Sequence, residues 1–155
     1  MHNHSKQAAC HAASTRGLNR KNILLWLGFA AWWIALFILS SIPGSRIGAM
    51  PFPNADKVVH IAIFFLGTVL LALAFFRTFG RSPLKTSILV FVAMVLVGVG
   101  DEYHQIYTPG RSGDDPGDLL ADAIGALIGI GCVALFHGKR PAKANLPAPV
   151  GDRAA

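Results

Sequence analysis

Asp101, Glu102 and His104 open a 22-residue stretch, DEYHQIYTPGRSGDDPGDLLAD, that closes at Asp122 and holds six of the chain's eight carboxylates. Carboxylates beside imidazoles suit general acid–base work, because burial and neighbouring charge shift their pKa values readily. The stretch is pinned between two apolar runs. Ile88 to Gly100 carries no charge, and Leu119 to Phe136 carries only Asp122. Ionisable groups at the edge of a hydrocarbon layer are costly to hold there and point to function by default.

A helix continuing through the start of this stretch puts Asp101 on one face with His104 and Gln105, and turns Glu102 about 100° away. Acids at a helix C-terminus oppose the macrodipole, so these two require partners: Arg111, Lys57, a cation or a substrate. Arg111 follows the breaker Tyr107-Thr108-Pro109-Gly110, which presents its planar fork from a tight turn. It either holds a carboxylate or phosphate in two-point contact or pairs internally with Asp101 or Glu102. Asp114 and Asp115 fall in a Gly/Pro loop and read as solvated. Asp118 and Asp122 lie at i and i+4, with Gly125 and Gly129 continuing the same face. Asp118 suits a helix cap, whereas Asp122 lies too deep for one.

A second constellation is Asp56, Lys57 and His60. Helical spacing places His60 one turn inside the membrane below both neighbours, where a carboxylate would hold the imidazole's tautomer. The plainer alternative is an interfacial histidine behind a helix start at Asn54-Ala55-Asp56. Convergence of His60, His104 and a carboxylate would give a three-ligand metal site with one open position. The residues name neither a metal nor any other cofactor.

The elements that position these groups follow from composition. Charged residues are 14% and apolar residues 53% of the 155, against about a quarter charged in a soluble domain. Four apolar windows stand out: Ile23–Ile42, Val58–Phe76, Leu84–Gly100 and Leu119–Phe136. A spanning helix needs roughly 17–25 such residues to cross about 30 Å of hydrocarbon, and the third window meets only the lower limit. The expectation is an all-α, polytopic membrane protein: a four-transmembrane-helix bundle over 23–136, flanked by disordered cytoplasmic tails at 1–22 and 137–155. The first window follows a long polar tail and ends in Ser-Ser-Ile-Pro, without the small-residue pattern of a cleavable signal. Cys10 and Cys132 suggest no disulfide framework. Cys10 with His2, His4 and His11 matches no standard metal spacing and reads as tail.

Charge placement sets the orientation. Lys6, Arg16, Arg20 and Lys21, then Arg77, Arg81 and Lys85, then Lys139, Arg140, Lys143 and Arg153 fall on one side, 11 of the 14 cations. Only Arg46, Lys57 and Arg111 fall on the other. The positive-inside rule then puts both termini in the cytoplasm. The net charge of +6 is therefore topology rather than a nucleic-acid footprint. Trp26, Trp32 and Trp33 read as interfacial anchors and lipid contacts. Gly125 with Gly129, and Gly98 with Gly100, mark places for close helix approach.

The order ILSSIPGS, then DKVVHIAIFFLG, then GVGDEYHQIYTPGRSGDDPGDLLADAIGALIG resembles the VanZ-like family over about residues 23–136. The family's Asp-Lys with a nearby His matches Asp56, Lys57 and His60. Its Asp-Glu-x-x-Gln stretch matches Asp101, Glu102 and Gln105, with His104 between them. Its Pro-Gly-Arg turn matches Arg111, and its Asp-x-x-x-Asp pair matches Asp118 and Asp122. Gly113-Asp114-Asp115-Pro116-Gly117 is more acidic than the usual turn. The resemblance implies a small four-helix protein of the bacterial inner membrane, and one named member is associated with resistance to the glycopeptide teicoplanin. The expected function is binding or modifying an amphipathic, lipid-linked or glycopeptide-type ligand at the outer leaflet. In an enzymatic form His60 or His104 is the base, held by Asp56 or Asp101; Glu102 or Asp122 is the acid; Arg111 positions an anionic group. Two other classes stay open: a small proton- or cation-coupled transporter using Asp118, Asp122 and His60, and a structural polar network without catalysis.

Overall fold

A computed structural model describes residues 19–48, 51–79 and 82–138. Within them the chain forms four long helices and no strand: α1 (Arg20–Ser40), α2 (Ala55–Phe79), α3 (Pro83–Ile106) and α4 (Pro116–Gly138), with one 3₁₀ turn at Gly44–Arg46. All four are long and apolar enough to cross a membrane, and the chain is an all-α, multi-pass membrane protein. α1 starts inside the expected tail, because the Asn19 side chain caps it by accepting the Asn22 N–H at 3.0 Å. α3 begins with Pro83, whose missing N–H costs nothing in a first turn. The helix is 24 residues long, running past the end of the apolar window through Asp101, Glu102 and Gln105 to Ile106. Most of both tails lies outside the described residues, as do Cys10, His2, His4 and His11.

α2 and α4 form the tightest pair. α4 buries Asp118, Asp122, Gly125, Gly129 and Val133 along one stripe. A side chain at Gly125 would run into the Ile61 carbonyl oxygen, and one at Gly129 would come within 3.0 Å of the Phe65 carbonyl oxygen. Without a hydrophobic force between helices in lipid, such close backbone contact is what holds them. Gly98 likewise lets α3 approach Asp122, but Gly100 has nothing within 4 Å and supports no contact. The core is Trp32, Leu36, Phe64, Leu71, Val90 and Met94, closed by Ala126 and Val133.

Trp32 departs from the expected lipid contact. It is 7% exposed, stands edge-on to Phe64, and donates its Nε1–H to the Ile63 carbonyl at 2.9 Å. Gly67 makes room for the indole, because a Cβ there would collide with the ring. Trp26 also ties α1 to α2, donating to Thr78 Oγ1 at 3.1 Å. Trp33 is exposed and faces outward as expected. Arg20, Lys21, Arg77 and Lys85 gather at one end of the bundle, and the carboxylates gather at the other.

Candidate functional site

The acidic end is built from the C-termini of α1 and α3, the N-termini of α2 and α4, and the loops joining them. Ser40, the last residue of α1, donates to Asp101 Oδ1 at 2.5 Å. Gln105 donates to Asp101 Oδ2 at 2.8 Å, one turn along α3. Thr108 then donates its hydroxyl to the Ser40 carbonyl at 3.1 Å. Beyond it, Gly44 N–H donates to the Pro109 carbonyl at 2.9 Å. Gly110 at that crossing has φ +74, a conformation a side chain would strain. These bonds fix the turn that carries Arg111.

Lys57 is surrounded. Its Nζ lies 3.2 Å from Asp56, 2.5 Å from Asp115 and 2.6 Å from Asp118. Asp115 is therefore not a solvated loop acid. It also accepts the Gly117 N–H at 2.7 Å, so it begins α4 in the role expected of Asp118. The hydrogen bond from Lys57 holds the Asp115 carboxyl below the usual carboxylate value. Asp114 is exposed, with φ 70. Glu102 turns away from Asp101 as the helical angle requires, and its Oε2 accepts the Asp115 N–H at 2.9 Å.

His60 finds its carboxylate on another helix. Nδ1 lies 2.8 Å from Asp122 Oδ1, and Nε2 lies 3.9 Å from Asp118 Oδ2. Asp56, one turn away on α2, pairs with Lys57 instead. With Asp122 ionised and able only to accept, Nδ1 carries a proton, and in the neutral imidazole Nε2 keeps its lone pair. Asp122 is 1% exposed, the most enclosed acid of the group.

His104 stands apart from this group. Its Nε2 is 3.0 Å from Ser41 Oγ and its ring lies 4.5 Å from the Phe37 ring, on the outer face of α1. The expected partnership with Asp101 and convergence with His60 do not form, because Gln105 occupies that face of α3. Arg111 forms no ion pair with Asp101 or Glu102 among the described residues, and its buried Nε has no hydrogen-bond partner there. Ser40 belongs to the site but was not singled out in the sequence; its signal is a hydroxyl ending an apolar run.

Two cavities meet here. One, of about 220 Å³, runs between α1, α2 and α3, with Leu36, Leu39, Val59, Ile63 and Phe64 on its apolar walls. The other, of about 710 Å³, opens between the loops and reaches Asn54, Ser112 and Asp118. Asp56, His60, Gln105 and Arg111 line both and form the join. An apolar chamber below a polar mouth suits a molecule with a hydrocarbon part and a charged head. At the join, His60 can take a proton at Nε2 while Arg111 meets an anion.

A family profile described as VanZ/LLP1 matches residues 9–137, most of the chain. The chain is also 32% identical over 117 residues to a Schizosaccharomyces pombe protein described as uncharacterized protein C11E3.10, covering 73% of this chain and 69% of that one. No solved structure matches.

Proposed function

We propose a function from one premise: the chain belongs to the VanZ/LLP1 family. In this reading it is a protein of the bacterial plasma membrane, with both termini cytoplasmic and the acidic end at the outer leaflet. There it binds an amphipathic, anion-headed ligand, lipid-linked or glycopeptide-type, and acts on it by acid–base chemistry.

The observation that carries the reading is the join of the two cavities at His60, Gln105 and Arg111. Leu39 and Val59 line the smaller cavity yet are 47% and 48% exposed on the bundle's outer surface. A hydrocarbon chain can therefore enter sideways from the bilayer between α1 and α2. About 220 Å³ is below the roughly 300–1,000 Å³ that encloses a drug-sized ligand, so part of the chain stays in lipid. Arg111 Nε is buried without a partner among the described residues, which favours an anionic head that completes its hydrogen bonds. His60, oriented by Asp122, is the base, and the acid is Glu102. Transport has less support, because among the described residues no Asp, Glu, His, Lys or Arg lies between Asp122 and the basic end; buried polar side chains deeper in the bundle are Thr68, Thr86 and Asn22.

Purified full-length protein in detergent, titrated with lysophosphatidylglycerol and lysophosphatidylcholine in native mass spectrometry, tests the binding. The anionic lipid is expected to bind more tightly. Arg111→Gln should weaken it by about ten- to a hundredfold, the range for a charge-assisted hydrogen bond. Val59→Phe, which fills the apolar chamber, should weaken both lipids. Equal binding by wild type and both variants would sink the reading. If the resistance associated with the family extends to this chain, expression in a susceptible bacterium lowers teicoplanin sensitivity and Arg111→Gln abolishes the effect.

A further inference from the structure

Among the described residues six carboxylates gather at the acidic end, Asp56, Asp101, Glu102, Asp115, Asp118 and Asp122, against Lys57 and Arg111 within the cluster and Arg46 on the adjoining 3₁₀ turn. So uneven a balance at a low-dielectric edge favours a further cation. Two triads have ligand atoms within 4.8 Å of one another: Asp56, Asp115 and Asp118, and His60, Glu102 and Asp118. The first is already filled by the Lys57 ammonium, which bonds all three of its carboxylates. The second has no such occupant.

We propose that His60, Glu102 and Asp118 form a divalent-metal site of the zinc or manganese class, with Asp122 as the carboxylate behind the imidazole. Four observations converge on it. His60 gives Nδ1 to Asp122 at 2.8 Å, which leaves Nε2 as the free donor. A metal-bound histidine usually has such a carboxylate on its other nitrogen, fixing ring and tautomer. Asp118 Oδ2 lies 3.9 Å from Nε2, too far for a hydrogen bond but close to the roughly 3.4 Å between neighbouring ligands about 2.1 Å from one ion. Glu102 is 6% exposed, and among the described residues its buried Oε1 has no hydrogen-bond partner while Oε2 is engaged.

One imidazole with two carboxylates suits zinc or manganese, and leaves coordination positions open. His60 and Asp118 also line the larger cavity, so the open positions face the mouth where a ligand's anionic head would sit. His104, paired with Ser41 on α1, takes no part. Bound there, the ion would polarise an anionic group or activate water. With the ion bound, His60 Nε2 and Glu102 would serve as its ligands, and water activated by the ion would replace them as base and acid while Arg111 keeps the anionic head; the metal site does not depend on the ligand reading.

The test uses the full chain in detergent, stripped with chelator, loaded separately with Zn²⁺ and Mn²⁺, desalted and measured for metal content. Wild type is expected to retain one equivalent more than Glu102→Gln. Metal held by His2, His4, Cys10 and His11 is common to both and cancels. Asp122→Asn should bind roughly ten- to a hundredfold more weakly, as for loss of a partner behind a metal-bound histidine. Asp56→Asn, which belongs only to the triad that Lys57 fills, should retain the ion. Equal metal content in folded wild type and Glu102→Gln overturns the site. Should Glu102→Gln fail to fold, Co²⁺-loaded full-length protein with His2, His4, Cys10 and His11 replaced decides: ligand-field bands support the site, and no bands overturn it.

Discussion

His60 and Asp122 share one short contact across two helices, and that contact makes them an energetic unit rather than two polar residues. Removing the imidazole alone leaves a buried carboxylate without its partner, at a cost of about 3–5 kcal/mol. Removing both lifts that penalty. The double variant His60→Ala/Asp122→Ala is therefore expected to be less destabilised than the sum of the singles, by roughly 0.5–3 kcal/mol. Unfolding of the four proteins in detergent measures this, and strict additivity would show that the contact carries no coupling. Asp115 makes a different prediction because it lies in the loop. Lys57 holds its carboxyl below the ordinary value, so the folded form favours the charged state. Its stabilisation is present above the unfolded pKa of about 3.9 and disappears as pH falls through the lower folded value. Asp115→Asn should melt below wild type at neutral pH, and the gap should close on acidification. A gap that widened toward low pH would contradict the assignment.

At the scale of the helix, backbone approach rather than side-chain interdigitation sets the α2–α4 pair. Gly125 faces the Ile61 carbonyl oxygen, a backbone atom that cannot swing aside. Gly125→Ala should therefore destabilise the bundle, on the order of 1–3 kcal/mol for an overpacked contact, and shift α4 relative to His60. Gly100→Ala provides the contrast. Its Cβ would meet nothing within 4 Å, and alanine is the better helix former by up to about 1 kcal/mol. Thermal melts should rank Gly100→Ala at or above wild type and Gly125→Ala below it. The reverse order would mean that the small residues do not govern the packing. The glycine pattern in α4 was legible along the chain. The difference between Gly98 and Gly100 was not, since only one of two residues 200° apart on a helix can face a given neighbour.

For the whole molecule, the basic and acidic ends lie at opposite ends of four helices long and apolar enough to span a bilayer. The described cations Arg20, Lys21, Arg77 and Lys85 mark one side. Tyr103 and Tyr107, exposed and joined hydroxyl to hydroxyl at 2.9 Å, sit near the other, where aromatic side chains favour the membrane surface. Cation placement predicts that the basic end is cytoplasmic. With Cys10 and Cys132 replaced, a cysteine at Ser112 should react with a membrane-impermeant reagent in intact cells. Reaction only after the cells are opened would invert the orientation and remove the outer-leaflet ligand.

Run length and charge placement are properties of the chain in one dimension, and they sufficed for four spanning helices and for an end rich in carboxylates. The hydrocarbon thickness converts residue count directly into spans. Spacing within a helix also identified faces, so Gln105 meets Asp101 as i and i+4 require. Partners across helices were another matter. They depend on the rotation and depth of each helix, and these follow from contacts such as Gly125 against Ile61 and Trp32 over Gly67. That packing gave His60 to Asp122 instead of Asp56, brought Asp115 and Ser40 into the cluster, and turned His104 outward onto Ser41 and Phe37. The sequence by itself determined which chemistry lies at which end of the bundle. Tertiary packing decided which groups touch, because a hydrogen bond tolerates only a few tenths of an ångström and the local helical repeat fixes no distance between helices.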